Sequence, residues 1–159
     1  MVFVTVGTHE QPFDRLMREV ARLAAAGALS DVVVQYGYST VAPEGCRCER
    51  FLPYAEMERL YREADAVICH GGPSTFLEAM AAGRVPVVVP RLARFGEHVN
   101  DHQLAFCRQF EERVGGIVVV EDVSGLAGAV ERARSMDARG AGGNTERFCE
   151  ELERLVRGL

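Results

Sequence analysis

Short apolar runs alternate along the chain with stretches whose apolar residues recur at helical spacing. The runs fall at 2–6, 32–36, 48–51, 66–69, 85–89 and 117–120. They are rich in valine and apolar at successive positions, so both faces of each strand should be covered, as in a parallel sheet. The intervening stretches, 12–26, 54–64, 74–82, 101–112, 123–135 and 144–157, read as helices. In the first of them Phe13, Leu16, Met17, Val20 and Leu23 form one apolar stripe. This βαβα rhythm predicts an α/β fold with a doubly wound, Rossmann-like parallel sheet. Right-handed crossovers favour a switch point beside the first strand, hence the strand order 3-2-1-4-5-6. Segment 137–143, Asp-Ala-Arg-Gly-Ala-Gly-Gly, is linker-like, and the helix that follows it is expected to be able to swing.

A length of 159 residues fits one domain, 1–159. A chain of that size hides roughly 70% of its unfolded surface and needs no staples. The net charge of -5 argues against a nucleic-acid partner, which would require a basic face. All the cations are arginine, a compositional bias without functional content. The five cysteines, Cys46, Cys48, Cys69, Cys107 and Cys149, are odd in number and form no C-x-x-C pair. With a strand-like run directly after Met1, they suggest a reduced cytoplasmic protein with small buried thiols. No apolar stretch approaches the ~20 residues that span a bilayer, so membrane association is expected to be peripheral, through a partner.

In such sheets ligands lie at the carboxyl ends of the strands near the switch point. The loops there begin at Gly7, His70 and Pro90, and all four histidines, His9, His70, His98 and His102, fall in them. His70-Gly71-Gly72-Pro73-Ser74-Thr75 joins a strand to a helix. Two glycines admit close backbone approach, and Pro73 and Ser74 suit a first helical turn. Free N–H groups and the helix dipole make such a turn an anion site suited to a diphosphate; it also reads as a plain capped turn. It lacks the glycine spacing of a dinucleotide or P-loop site. Glu78, one turn after Ser74, could accept both hydroxyls of a ribose, or could simply be a solvated glutamate. Glu97, His98, Asn100, Asp101, His102 and Gln103 crowd six polar side chains into seven positions, a density that suits a sugar and equally a polar, capped loop. His98 and His102 are four apart, but no H-E-x-x-H, zinc-spaced cysteine or Asp-x-Asp accompanies them, so no metal is expected. His9, after Gly7 and Thr8, is the natural acid–base candidate, since imidazole titrates near neutrality.

Together these motifs resemble the C-terminal, donor-binding domain of family 28 glycosyltransferases, and in particular its stand-alone Alg13/PssE-like subunits. Val4-Thr5-Val6-Gly7-Thr8 with Phe13-Asp14-Arg15-Leu16 looks like their opening. Phe51-Leu52-Pro53-Tyr54-Ala55-Glu56-Met57 looks like the segment whose backbone reads uracil. His70 to Thr75, Glu78, Gly96-Glu97-His98 and Asn100-Asp101-His102-Gln103 are similar to the signature for diphosphate, ribose and hexose. The likeness runs from Val2 to about Arg134. It departs at Pro73, where relatives often carry Ala or Gly, which leaves open the choice of amides facing the phosphates.

The resemblance implies half of a GT-B enzyme, inversion at the anomeric carbon, UDP as leaving group and no metal or other cofactor. It implies that Gly71, Gly72, Ser74 and Thr75 stabilise the departing UDP, and that Glu78 holds ribose. Phe51 and Leu52 would frame uracil, and Glu97, His98, Asn100, His102 and Gln103 would hold sugar and diphosphate. His9 would polarise the acceptor hydroxyl or merely touch it. The implied partners are a UDP-sugar, a lipid-linked or polysaccharide acceptor, and a membrane-anchored acceptor-binding subunit of Alg14/PssD type, to which the last helix could dock. The rival readings are a non-catalytic nucleotide-sugar-binding regulatory module and a nucleotide-sugar epimerase, which would need a second domain of its own.

Overall fold

The computed structural model describes residues 1–138 and 145–158. Six strands, β1 (Val2–Thr5), β2 (Val32–Gln35), β3 (Arg47–Glu49), β4 (Ala66–His70), β5 (Val87–Val89) and β6 (Val118–Val119), form one parallel sheet. Its order is β3-β2-β1-β4-β5-β6, as the apolar runs predict. The helices are α1 (Asp14–Ala25), α2 (Tyr54–Glu63), α3 (Pro73–Ala81), α4 (His102–Arg113), α5 (Leu126–Ser135) and α6 (Thr145–Arg157). The expected helix over 123–135 begins instead with a 3-10 turn, Val123–Gly125, because Asp122 accepts from the amide of Ser124 and holds the entry open.

Strand alternation divides the core in two. Val2 and Val4 of β1 pack with Leu16, Met17, Val20 and Leu23 of α1 and with Leu126, Ala129 and Val130 of α5. On the other face Phe3 and Val67 meet Leu60 and Tyr61 of α2, and Cys69 and Val88 meet Phe76 of α3 and Phe106, Cys107 and Phe110 of α4. Full burial of each such aliphatic or aromatic side chain stabilises by about 1.5–3 kcal/mol. β3 departs from the expected strand covered on both faces. It pairs only with β2 at the edge, and Arg47 and Glu49 are exposed while Cys48 is half-buried.

Three helices end in left-handed glycines at the amino edge of the sheet. Gly27 follows α1, Gly83 follows α3 and Gly115 follows α4, with φ of 74°, 80° and 76°. Glycine adopts that conformation without a Cβ clash, and each turn returns an amide to a carbonyl of its helix.

The last helix does not present its apolar face to a partner. Leu155 is buried, and Phe148 and Leu152 pack against the cluster formed by α3 and α4, with the Phe148 ring 6.3 Å from that of Phe110. The surface proposed for docking is therefore occupied by the chain's own core. Most of the linker-like segment 137–143, and Asn144, lie outside the described residues. Among the described residues no helix is long and apolar enough to cross a membrane. All five cysteines are free thiols, Cys69 and Cys107 buried, Cys46 and Cys48 half-buried and Cys149 exposed. Burial pushes the Cys107 thiol up to about 12.

Candidate functional site

The parallel register sets Thr5 beside Gln35 on one side and Cys69 on the other, so the loops after β1, β2 and β4 leave the same edge together. Between them opens a cleft of about 360 Å³. Gly7, Thr8, His9, Ser74, Thr75, Glu78 and Gln103 line it, and these predicted residues are thereby brought together. Thr5, Met57 and His70, which stand in the quoted motifs without a role of their own, also line it, as do Gln35 and Tyr61, which were not predicted. Met57 and Tyr61 are four apart on α2, a helical spacing that could have been read as a face turned toward the cleft. Tyr61 and Glu78 also border a smaller recess of about 190 Å³ between α2 and α3.

Polar side chains tie the loops. Thr5 Oγ1 accepts from Gln35 Nε2 at 3.1 Å and from the amide of Gly7 at 3.3 Å. Gln35 Oε1 accepts from the amide of Leu52 at 2.9 Å. Arg91, fully buried just after β5, donates to the carbonyls of Val6, Gln11 and Glu97 at 2.8, 2.8 and 3.2 Å. It clamps the β1–α1 loop to the β5–α4 loop. Burial pulls its guanidinium down to about 10, still charged at neutral pH.

His70 is the centre of the diphosphate-like loop. The amide of Gly72 donates to its Nδ1 at 3.2 Å, so Nε2 carries the hydrogen and donates to Thr75 Oγ1 at 3.0 Å. The ring cannot turn. A Cβ on Gly7 would lie 2.4 Å from Nε2, and one on Gly72 2.3 Å from Cε1, so both glycines are required by close approach. Desolvation pushes this imidazole down to about 3, with Arg91, His9 and His98 adding to the effect. It is therefore neutral at any physiological pH. Between its ordinary value of 6.5 and about 3 only the unfolded chain takes up the proton, so the fold should lose stability as pH falls across that window. The expected slope from this one group is up to ~1.4 kcal/mol per pH unit. Urea midpoints at pH 7.5 and 5, and an NMR titration of the ring, test this; a folded-state titration near the ordinary histidine value would overturn it.

This arrangement corrects the expected anion donors. The amide of Gly71 donates to Gln103 Oε1 at 3.2 Å and that of Gly72 to His70, so neither is free for a phosphate. Pro73 has no N–H. The remaining donors at the start of α3 are the amide of Ser74, which has no acceptor among the described residues, and the hydroxyls of Ser74 and Thr75. Thr75 Oγ1 accepts from His70, which leaves its own hydrogen for an acceptor in the cleft.

The polar β5–α4 loop is likewise spent mostly on itself. Glu97 is 2% exposed; both its oxygens accept from Arg15 at 2.9 Å, and Oε2 also accepts from the amide of Leu92 at 3.0 Å. It cannot reach a sugar. Asn100 Oδ1 accepts from the amide of His102 at 3.0 Å, and Asp101 Oδ1 from that of Ala93 at 2.8 Å. His98 stacks on His9, ring centroids 4.7 Å apart and planes 11° from parallel. His102 is exposed at the start of α4. Of this loop only Gln103 lines the cleft, and its Oε1 bridges the amides of Gly71 and Arg91. Phe51 and Leu52 line neither cavity. Phe51 is 44% exposed, edge-on to Tyr38, and the Leu52 amide is taken by Gln35.

A family model described as the glycosyltransferase family 28 C-terminal domain matches residues 1–145. The chain belongs to this family. The UDP-N-acetylglucosamine–N-acetylmuramyl-(pentapeptide) pyrophosphoryl-undecaprenol N-acetylglucosamine transferase of Aromatoleum aromaticum is 28% identical over 143 residues, 80% of this chain and 38% of that protein. The UDP-N-acetylglucosamine transferase subunit ALG13 of Mus musculus is 31% identical over 120 residues, 69% of this chain and 10% of that protein. This chain thus spans well under half the length of these relatives. Solved glycosyltransferases share the fold. The kitacinnamycin glycosyltransferase superposes with a TM-score of 0.64 at 20% identity, over 98% of this chain and 39% of that one. Acinetobacter baumannii MurG gives 0.55 at 21% identity, over 97% and 48%. This family 28 chain therefore has the fold of one half of a GT-B glycosyltransferase.

Proposed function

We propose that this chain is the donor-binding catalytic subunit of an inverting glycosyltransferase. It moves a hexose from a UDP-sugar to a hydroxyl of a lipid-linked or polysaccharide acceptor. The observation that carries the reading is the cleft at the switch point, which Ser74 and Thr75 at the start of α3 line together with Glu78 one turn on. Neutral donors at a helix start suit a diphosphate, and a carboxylate one turn along suits the two hydroxyls of a ribose. The names of the bacterial and mouse relatives both carry UDP-N-acetylglucosamine, which supports a donor of this class.

In the proposed reaction the acceptor oxygen attacks the anomeric carbon as its bond to UDP breaks. His9 takes the hydroxyl proton, and the charge gathering on UDP meets donors already in place around Ser74 and Thr75. Gln103, which lines the cleft, faces the hexose. No metal takes part. UDP binding measured by calorimetry should therefore survive EDTA, and Glu78→Ala should weaken it by about 1.5–3 kcal/mol, as lost charged hydrogen bonds do. Loss of binding in EDTA would overturn the metal-free mechanism, and an unchanged affinity in the variant would remove Glu78 from the ribose.

The acceptor site belongs to a membrane-anchored partner of Alg14/PssD type, which brings this chain to the cytoplasmic face of the membrane. A GT-B cleft needs two halves, and the described residues build the fold of one. The chain alone should transfer no sugar to acceptors from labelled UDP-sugars, and activity should appear when the partner is added. Robust transfer by the isolated chain would sink the two-part model. UDP-sugar binding with no transfer in any complex would favour a regulatory module.

A further inference from the structure

His9 is fixed by two neighbours that belong to different loops. Its Nε2 lies 2.9 Å from Gln11 Oε1, two residues along the β1–α1 loop. Its face lies against His98 of the β5–α4 loop, nearly parallel at 4.7 Å between centroids. Both loops are held to one buried group, because the Arg91 guanidinium donates to the carbonyls of Val6, Gln11 and Glu97. His9 lines the cleft; neither Gln11 nor His98 does.

We infer that Gln11 and His98 are positioning residues for His9, and that His98 is not a contact of the sugar donor. The inference rests on the reading of His9 as the base. An amide oxygen only accepts, so Gln11 Oε1 selects the tautomer with hydrogen on Nε2. The lone pair is then on Nδ1, the nitrogen left to receive the acceptor's proton. A ring held only by one hydrogen bond would still rotate about it. The His98 plate removes that freedom by covering one face, while the backbone amide of Asn100 donates to His98 Nδ1 at 3.4 Å and steadies the plate at its edge. Correct orientation of a catalytic group is worth a large factor in rate, and a small misplacement can cost on the order of 10²-fold. The arrangement engages His98 with His9 and not with the cleft: one face of its ring is covered by His9, and it lies outside the cleft lining.

Two measurements test the assignment. The first is the 15N NMR of the His9 imidazole in the purified chain at pH 8. The wild type should show the Nε2–H tautomer, Gln11→Glu should keep it, since a carboxylate also accepts, and Gln11→Leu should give a mixture. An unchanged tautomer in Gln11→Leu overturns the role of Gln11. The second is turnover in the complete transferase. His98→Ala should lower kcat by on the order of 10-fold to 10²-fold with an unchanged KM for the UDP-sugar, and His98→Phe, which restores the plate, should recover most of it. A raised donor KM that phenylalanine does not rescue overturns the role of His98 and returns it to the sugar site. A His9→Ala enzyme with wild-type turnover sinks the base reading alone; the tautomer measurement does not depend on it.

Discussion

Glu97→Ala should lower the stability of the fold by about 3–5 kcal/mol, the usual cost of removing one partner of a buried ion pair. The carboxylate is almost wholly buried, and Arg15 is only 14% exposed. Arg15 spends its guanidinium on Glu97 and on the carbonyls of Pro90 and Glu121, so it cannot turn to water when Glu97 is lost. The amide of Leu92 loses its acceptor as well. The loop that carries His98 and leads into Gln103 of α4 is anchored at this point, so donor binding should weaken as a consequence of unfolding and not before it. Glu97→Gln keeps one acceptor oxygen and the volume, and should fall between the two. Urea midpoints for the three proteins measure the effect. A midpoint unchanged in Glu97→Ala, together with weaker UDP-sugar binding, would reverse the assignment and make Glu97 a ligand contact.

His9→Ala should reduce turnover of the complete transferase by about 10²-fold or more, the usual contribution of a general base. Donor affinity should barely move, because the groups proposed to hold UDP are Ser74, Thr75 and Glu78. The imidazole lies in the same cleft as those groups but arrives there from the β1–α1 loop and not from α3, which suits it to the acceptor side of the reaction. Calorimetry with UDP separates the two effects, and single-turnover rates show whether the loss is in the chemical step. Wild-type turnover in the variant would place the base in the partner subunit.

The strand order was legible because most of the strands are compact valine-rich runs and the crossover rules leave few ways to arrange six of them. The edge position of β3 was partly visible in its charged residues, Arg47 and Glu49, which a central strand would not tolerate. The site was legible as a set of loops. Its internal allegiances were not, because they join residues far apart in the chain. Glu97 looks like a sugar contact until Arg15, 82 positions earlier, is seen to hold both its oxygens. Gly71 and Gly72 look like phosphate donors until Gln103 and His70 are seen to take their amides. The last helix carries an amphipathic pattern that says only that its apolar face is covered. The covering surface, Phe110 and its neighbours, is a fact of packing. Arg91 carried a signal that could have been read: a cation directly after Val87-Val88-Val89-Pro90, where the chain has just left the core, has to find carbonyl or carboxylate partners.

The left-handed turns at Gly27, Gly83 and Gly115 lie at the opposite end of the sheet from the cleft, and a Cβ built on any of the three meets nothing within 4 Å. That empty space separates engineering from chemistry. A fluorophore, a surface tether or a short inserted loop placed at these turns would project into solvent from the amino edge, leaving the donor edge free to close on a second protein. Asparagine, which tolerates positive φ better than other side chains, is the natural replacement where the turn itself must be kept. A dye pair with one member at Gly83 and the other on the proposed acceptor-binding subunit would then report assembly by energy transfer, without touching a residue that lines the cleft.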